Sequence, residues 1–118
     1  SLRAAIRALS ARPGRKVLIL GNMAELGPRA TDLHAEAGRD AREAGIDHLL
    51  ALGDLAGLAA DAFGDGGRRF DSNEALVRAA RSLLSPGLTV LIKGSRSARM
   101  EQVADALVCA AHDGAIAC

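Results

Sequence analysis

Lys93, Arg96 and Arg99 crowd one turn whose remaining residues are Gly94, Ser95, Ser97 and Ala98. Arginine guanidinium groups grip carboxylates and phosphates through paired hydrogen bonds, and lysine adds a mobile point charge. Glycine lets the backbone turn tightly, and serine hydroxyls can accept from the first free amides of a helix. Those amides and the helix dipole already favour an anion, and three cations deepen the preference. The turn is therefore predicted to receive phosphate or carboxylate. The competing reading is a solvated helix start, although cations gain nothing from the dipole at that end. Neither G-x-x-x-x-G-K-[ST] nor G-x-G-x-x-G occurs in the chain, so these residues alone cannot cradle and split ATP.

The turn needs a strand before it and a helix after it. Val90, Leu91 and Ile92 form a short apolar run of the kind that a parallel strand buried on both faces requires. Met100, Val103, Leu107 and Ala110 recur at helical spacing behind the turn. A second informative stretch lies far upstream. Strand Lys16–Gly21 leads into a loop bracketed by Gly21 and Gly27-Pro28, and a connection of about seven residues is long enough to carry function. From about Ala30 a helix presents Ala30, Leu33, Ala37, Ala41 and Ala44 on one stripe, with Gly45 as its stop. His34 lies beside that stripe, where packing or capping is its ordinary role.

The remaining elements continue the alternation. A helix over Leu2–Leu9 and a turn at Arg12–Arg15 precede the first strand. Ile46–Gly53 reads as a strand, Asp54–Phe63 as a helix and Arg68–Phe70 as a brief strand. Asp71 and Glu74 have the spacing of a capping box for a helix that buries Leu76, Ala79, Ala80, Leu83 and Leu84. Gly114–Cys118 reads as a short terminal strand or a frayed end. This rhythm predicts an α/β fold with a mostly parallel sheet and helices on both faces, joined by right-handed crossovers. Ligands of such sheets gather outside the carboxyl ends of the strands. The Asn22–Gly27 loop, the Gly53-Asp54 turn and the Lys93–Ser97 turn all leave strands by that end and can face one site.

Bulk properties narrow the function classes. The 118 residues suit one domain, and with 49% hydrophobic residues but only two aromatics the core must be aliphatic. Fifteen basic and 14 acidic residues leave a net charge of +1, so no global field draws the chain to nucleic acid or membrane. Cys109 and Cys118 imply no disulfide framework, and no secretory or transmembrane run is present, so the expected setting is a reducing cytoplasm. Cys109 and His112 form an isolated C-x-x-H without the second pair of a zinc site, and core packing with a surface histidine is the expectation. The chain opens at Ser1 without Met, which reads as a fragment or a processed product.

In order, GNMAELG at 21–27, LHAEAG at 33–38, GID at 45–47 and VLIKGSRSARMEQV at 90–103 resemble the C-terminal domain of the Mur ligase family. The likeness is to the branch that joins D-alanyl-D-alanine to UDP-N-acetylmuramoyl-tripeptide in bacterial peptidoglycan synthesis. The likeness of the loop at 21–27 to this branch argues against branches adding another amino acid. The resemblance implies a Rossmann-like domain spanning 1–118, the third of a three-domain, cytoplasmic and monomeric enzyme. ATP and Mg2+ would be held mainly by a central domain outside this chain, which also carries the phosphate loop and a modified lysine. Ser1 would match the serine ending a hinge segment.

Residue by residue, Lys93, Gly94, Ser95 and Arg96 match the family's Lys-Gly-Ser-Arg turn. Their implied role is to meet the dipeptide carboxylate or the transferring phosphate. Asn22, Met23, Glu25, Leu26 and Gly27 match its Gly-Asp-Met-x-Glu-Leu-Gly loop, and His34 matches a histidine at the next helix start. Asn22 stands where the family usually has Asp; it keeps an acceptor oxygen but loses the charge, so no role requiring a carboxylate is expected there. No catalytic residue and no metal ligand is expected within this chain. The alternative is a free-standing module that binds a small anion without catalysis.

Overall fold

Val17, Leu18, Ile19 and Leu20 form an unbroken apolar run, so a strand made from them must bury both faces. A computed structural model of the protein describes residues 1–112, with side chains as far as Val108. In it these four residues are 1% exposed or less and form the centre of strand β1 (Lys16–Gly21). Strands β2 (His48–Leu52), β3 (Gly67–Phe70) and β4 (Thr89–Lys93) complete a sheet in the order β3-β2-β1-β4. All three pairings are parallel, with Leu18 opposite both Leu49 and Leu91.

Parallel neighbours cannot be joined by hairpins, and helices supply the crossovers. Helix α1 (Leu2–Ser10) precedes β1, α2 (Ala30–Glu43) joins β1 to β2, and α3 (Asp54–Phe63) joins β2 to β3. The chain then reverses its direction across the sheet: α4 (Asn73–Leu83) carries it past β2 and β1 to β4, and α5 (Met100–His112) follows. Under the right-handed rule a reversed crossover must use the opposite face. The core divides accordingly. Leu18, Leu20, Leu49 and Ala51 pack against Ile6 and Leu9 of α1, Ala41 of α2, and Ala56, Ala59 and Phe63 of α3. Val17, Ile19 and Leu50 pack against Leu76 and Ala80 of α4 and Met100, Val103 and Leu107 of α5.

Several local expectations shift. β4 is not buried on both faces: all five of its residues are half-buried, because it is an edge strand with β1 as its one neighbour among the described residues. The cap of α4 is Ser72 rather than Asp71. Ser72 is extended and its Oγ accepts the Ala75 amide at 3.2 Å, which sets the helix one residue later than the capping-box spacing. Leu84 lies past the end of that helix in extended conformation. Gly45 does stop α2: at φ 82° it allows the Ile46 amide to reach Ala41 and its own amide to reach Arg42, each at 3.2 Å. Ile46 is therefore the buried anchor of that cap and precedes β2. The side chains of Cys109, Ala110 and His112 and the proposed strand at 114–118 lie outside the described residues.

α2 and α3 meet backbone to backbone. A Cβ on Gly38 would overlap the Ala59 carbonyl oxygen and lie 2.8 Å from its carbon. Gly38→Ala improves helix propensity by up to about 1 kcal/mol, but the overlap is with main chain and cannot swing aside. Net destabilisation of at least about 1–3 kcal/mol is expected from overpacking, read as a lower midpoint in urea unfolding.

Candidate functional site

Strand order reverses between β1 and β4, and the loops leaving these two strands diverge there into α2 and α5. Such a switch point is the usual ligand crevice of an open parallel sheet. Asn22, the first residue after β1, sits at the centre of the polar contacts here. Its Oδ1 accepts the Ala56 amide of α3 at 2.9 Å. The cap position before α3 is Gly53, which has φ 113° and no side chain to cap with, so Asn22 supplies the missing acceptor from the loop after β1. The main-chain carbonyl of Asn22 accepts two further bonds, from the Ser95 amide at 3.0 Å and the Ser95 hydroxyl at 2.9 Å. The loop after β1, the turn after β2 and the turn after β4 are thus joined at one residue.

The rest of the first loop is held from α2. The Met23 amide donates to His34 Nε2 at 3.0 Å, and His34 Nδ1–H donates to the Ala30 carbonyl at 2.6 Å. A carbonyl can only accept, so the proton sits on Nδ1 and Nε2 keeps its lone pair for Met23. His34 is 1% exposed with both nitrogens engaged, and it acts on the site through the loop rather than by touching a ligand. Met23 packs into the core beside α1 and α3. Leu26 is half-buried, and with Ile6, Met23, Leu33 and His34 it lines an apolar cavity of about 510 Å3. Glu25 is exposed and holds φ 60°, an uncommon conformation for a residue with a Cβ.

The cationic turn departs from expectation in one respect. Ser95 and Ser97 do not cap α5. A short 3-10 turn at Arg96–Ala98 and Arg99 in left-handed conformation (φ 53°) intervene, and α5 starts only at Met100. The Ser95 hydroxyl faces Asn22 and lies 3.0 Å from Ser97 Oγ. Gly94 serves packing: a Cβ there would lie 2.5 Å from Met100 Cγ, and one on Gly21 would lie 2.6 Å from Met100 Sδ. The two glycines let the start of α5 close over the strand ends. Lys93 is half-buried, Arg96 and Arg99 are exposed, and none of the three joins the four ion pairs among the described residues. Positive charge at this turn therefore comes from its side chains more than from a helix dipole.

A feature the sequence did not single out lies at the other two strand ends. Gly53, Asp54, Arg69, Asp71, Ser72 and Asn73 line a polar cleft of about 390 Å3. Arg69 is already engaged there, donating to Asp61 at 3.0 Å and to the Gly57 carbonyl at 3.2 Å. The signal available was the position of both segments at strand carboxyl ends.

Fold and crevice together define a Rossmann-like α/β domain with its loops gathered at the switch point. Residues 1–96 match the family described as "Mur ligase, glutamate ligase domain", and the chain belongs to that family. It is 39% identical over 109 residues to the UDP-N-acetylmuramoyl-tripeptide–D-alanyl-D-alanine ligase of Escherichia coli (strain K12), covering 91% of this chain and 24% of the relative. Among solved structures, it resembles MurF from Acinetobacter baumannii with a TM-score of 0.79 and 31% identity, over 92% of this chain and 25% of that one. It likewise resembles the MurF ligase from Thermotoga maritima solved in complex with ADP, at a TM-score of 0.79 and 26% identity, over 97% and 26%. The chain spans about a quarter of the length of these relatives.

The histidine clamp yields a direct test. His34→Leu fills a similar space but removes the acceptor for the Met23 amide. Stability is expected to fall by about 1–3 kcal/mol, seen as a lower urea midpoint at unchanged slope.

Proposed function

We propose that residues 1–118 are the C-terminal, substrate-closing domain of a three-domain ATP-dependent ligase. That enzyme joins D-alanyl-D-alanine to UDP-N-acetylmuramoyl-tripeptide in peptidoglycan synthesis. The observation that carries this reading is the 39% identity to a ligase of that reaction over 91% of the chain. A span of that length in 118 residues must include both the Asn22–Gly27 loop and the Lys93–Arg96 turn. Binding of ADP by the Thermotoga relative supports ATP as the energy source.

In this reading the γ-phosphoryl group of ATP passes to the tripeptide carboxylate, giving ADP and an acyl phosphate. The amine of D-alanyl-D-alanine then attacks the acyl carbon, the amide bond forms as the nitrogen gives up a proton, and phosphate leaves with the electron pair of the broken C–O bond and takes up that proton. This chain's part is electrostatic and geometric. Lys93 and Arg96 meet the dipeptide carboxylate or the phosphate when the domain closes, with Arg96 suited to a two-point grip. Asn22, Met23, Glu25, Leu26 and His34 shape the facing loop, and Gly94 and Ser95 hold the turn. Mg2+ accompanies the nucleotide. In this reading its ligands belong mainly to the central domain; among the described residues no cluster of three or more His, Cys, Asp or Glu could hold a metal ion. No helix among the described residues is long and apolar enough to cross a membrane, and the proposed setting is the bacterial cytoplasm, as a monomer.

The test uses the full-length enzyme carrying this segment. Phosphate release from ATP should require both the UDP-linked tripeptide and D-alanyl-D-alanine. Arg96→Ala should lower kcat/KM for the dipeptide roughly 10- to 100-fold, the value of a charged hydrogen bond, while KM for the UDP-linked substrate holds. A wild-type enzyme with no dipeptide-dependent phosphate release would remove the ligase reading.

A further inference from the structure

The Ser95 hydroxyl is spent inside the protein. Its proton goes to the Asn22 carbonyl, which can only accept, so Ser97 must be the donor in the 3.0 Å contact between the two serines. With the Ser95 amide on the same carbonyl, both lone pairs of that oxygen are committed to one residue of the β4 turn. The side chain of the same Asn22 is committed to α3 through Ala56, 34 positions away in sequence. Gly53 makes this approach possible, since a Cβ there would lie 2.7 Å from Asn22 Cγ. The next amide along, that of Met23, is fixed to His34. The start of α3 and the Lys93–Arg96 turn are therefore hydrogen-bonded to one shared residue.

We infer that Asn22 is a positioning residue that couples the amino end of α3 to the cationic turn, with Ser95 acting as its partner rather than as a ligand contact. The role needs an acceptor oxygen at this position and no negative charge. It rests on the ligase reading only where it predicts which substrate suffers: Lys93 and Arg96 lose their placement, while both cations remain.

Peptide-level hydrogen exchange on the full-length enzyme tests the coupling without reference to activity. Asn22→Ala should speed exchange at the Ala56 amide and also, about 10-fold, at the Ser95 amide, leaving the β1 amides unchanged. Asn22→Asp should restore both. Coupling is reciprocal, so Ser95→Ala should speed exchange at Ala56, and this variant serves if Asn22→Ala fails to fold. In kinetics, Asn22→Ala should raise KM for the dipeptide several-fold more than KM for ATP, with rescue by Asn22→Asp. Faster exchange at Ala56 with none at Ser95, or equal damage to both KM values without rescue by Asp, would overturn the inference. Absence of dipeptide-dependent activity in the wild type would strike the ligase reading alone, and exchange would then decide the coupling by itself.

Discussion

Everything in this fold follows from the complete burial of β1. Its four central residues have no face toward water, so the strand needs neighbours on both edges and helices on both sides. Parallel pairing meets the first need, and crossover helices of opposite direction meet the second. Those choices put every strand's carboxyl end on one side of the molecule. They also open a switch point between β1 and β4, where the loops part. The place of the crevice is thus a consequence of how one four-residue apolar run is kept dry.

At that switch point the ruling constraint changes from apolar burial to the pairing of polar groups. Main-chain amides and carbonyls near a packed core need partners. Here the partners come from residues that a family likeness would assign to ligand binding. Asn22 serves α3 and Ser95, and His34 serves Met23 and Ala30. Among the described residues, no buried side-chain nitrogen or oxygen is left without a partner. A site assembled this way is held in register before any ligand arrives, which reduces the cost of ordering it on binding.

Charge is arranged with the same economy. Arg3 is matched to Glu36 and Asp40, and Arg69 to Asp61, at exposed or half-buried surface positions where such pairs contribute little stability. Their effect is to neutralise the flanks. Lys93, Arg96 and Arg99 are left as a local positive field on a chain whose net charge is only +1. Such a field acts over roughly 10 Å at moderate salt, which is the scale of the crevice and not of the whole surface.

The sequence by itself determined the element types, their order and the shared end of the three loops. Apolar runs of strand length and apolar stripes of helical period are local signals, and parallel alternation has few topological solutions. Gly45 could be read as a helix stop because a left-handed cap is a property of one residue. Other features depended on partners far away in the chain. β4 looked as buried as β1, yet strand order makes it an edge. Asp71 had capping spacing, but the extended residue whose hydroxyl accepts the Ala75 amide is Ser72. The inward turn of Ser95 depends on a carbonyl 73 positions away, and the engagement of His34 Nε2 on an amide 11 positions before it. Hydrogen-bond partners at such separations are fixed only when the sheet has set the distance between its strand ends, and that is a property of the tertiary structure alone.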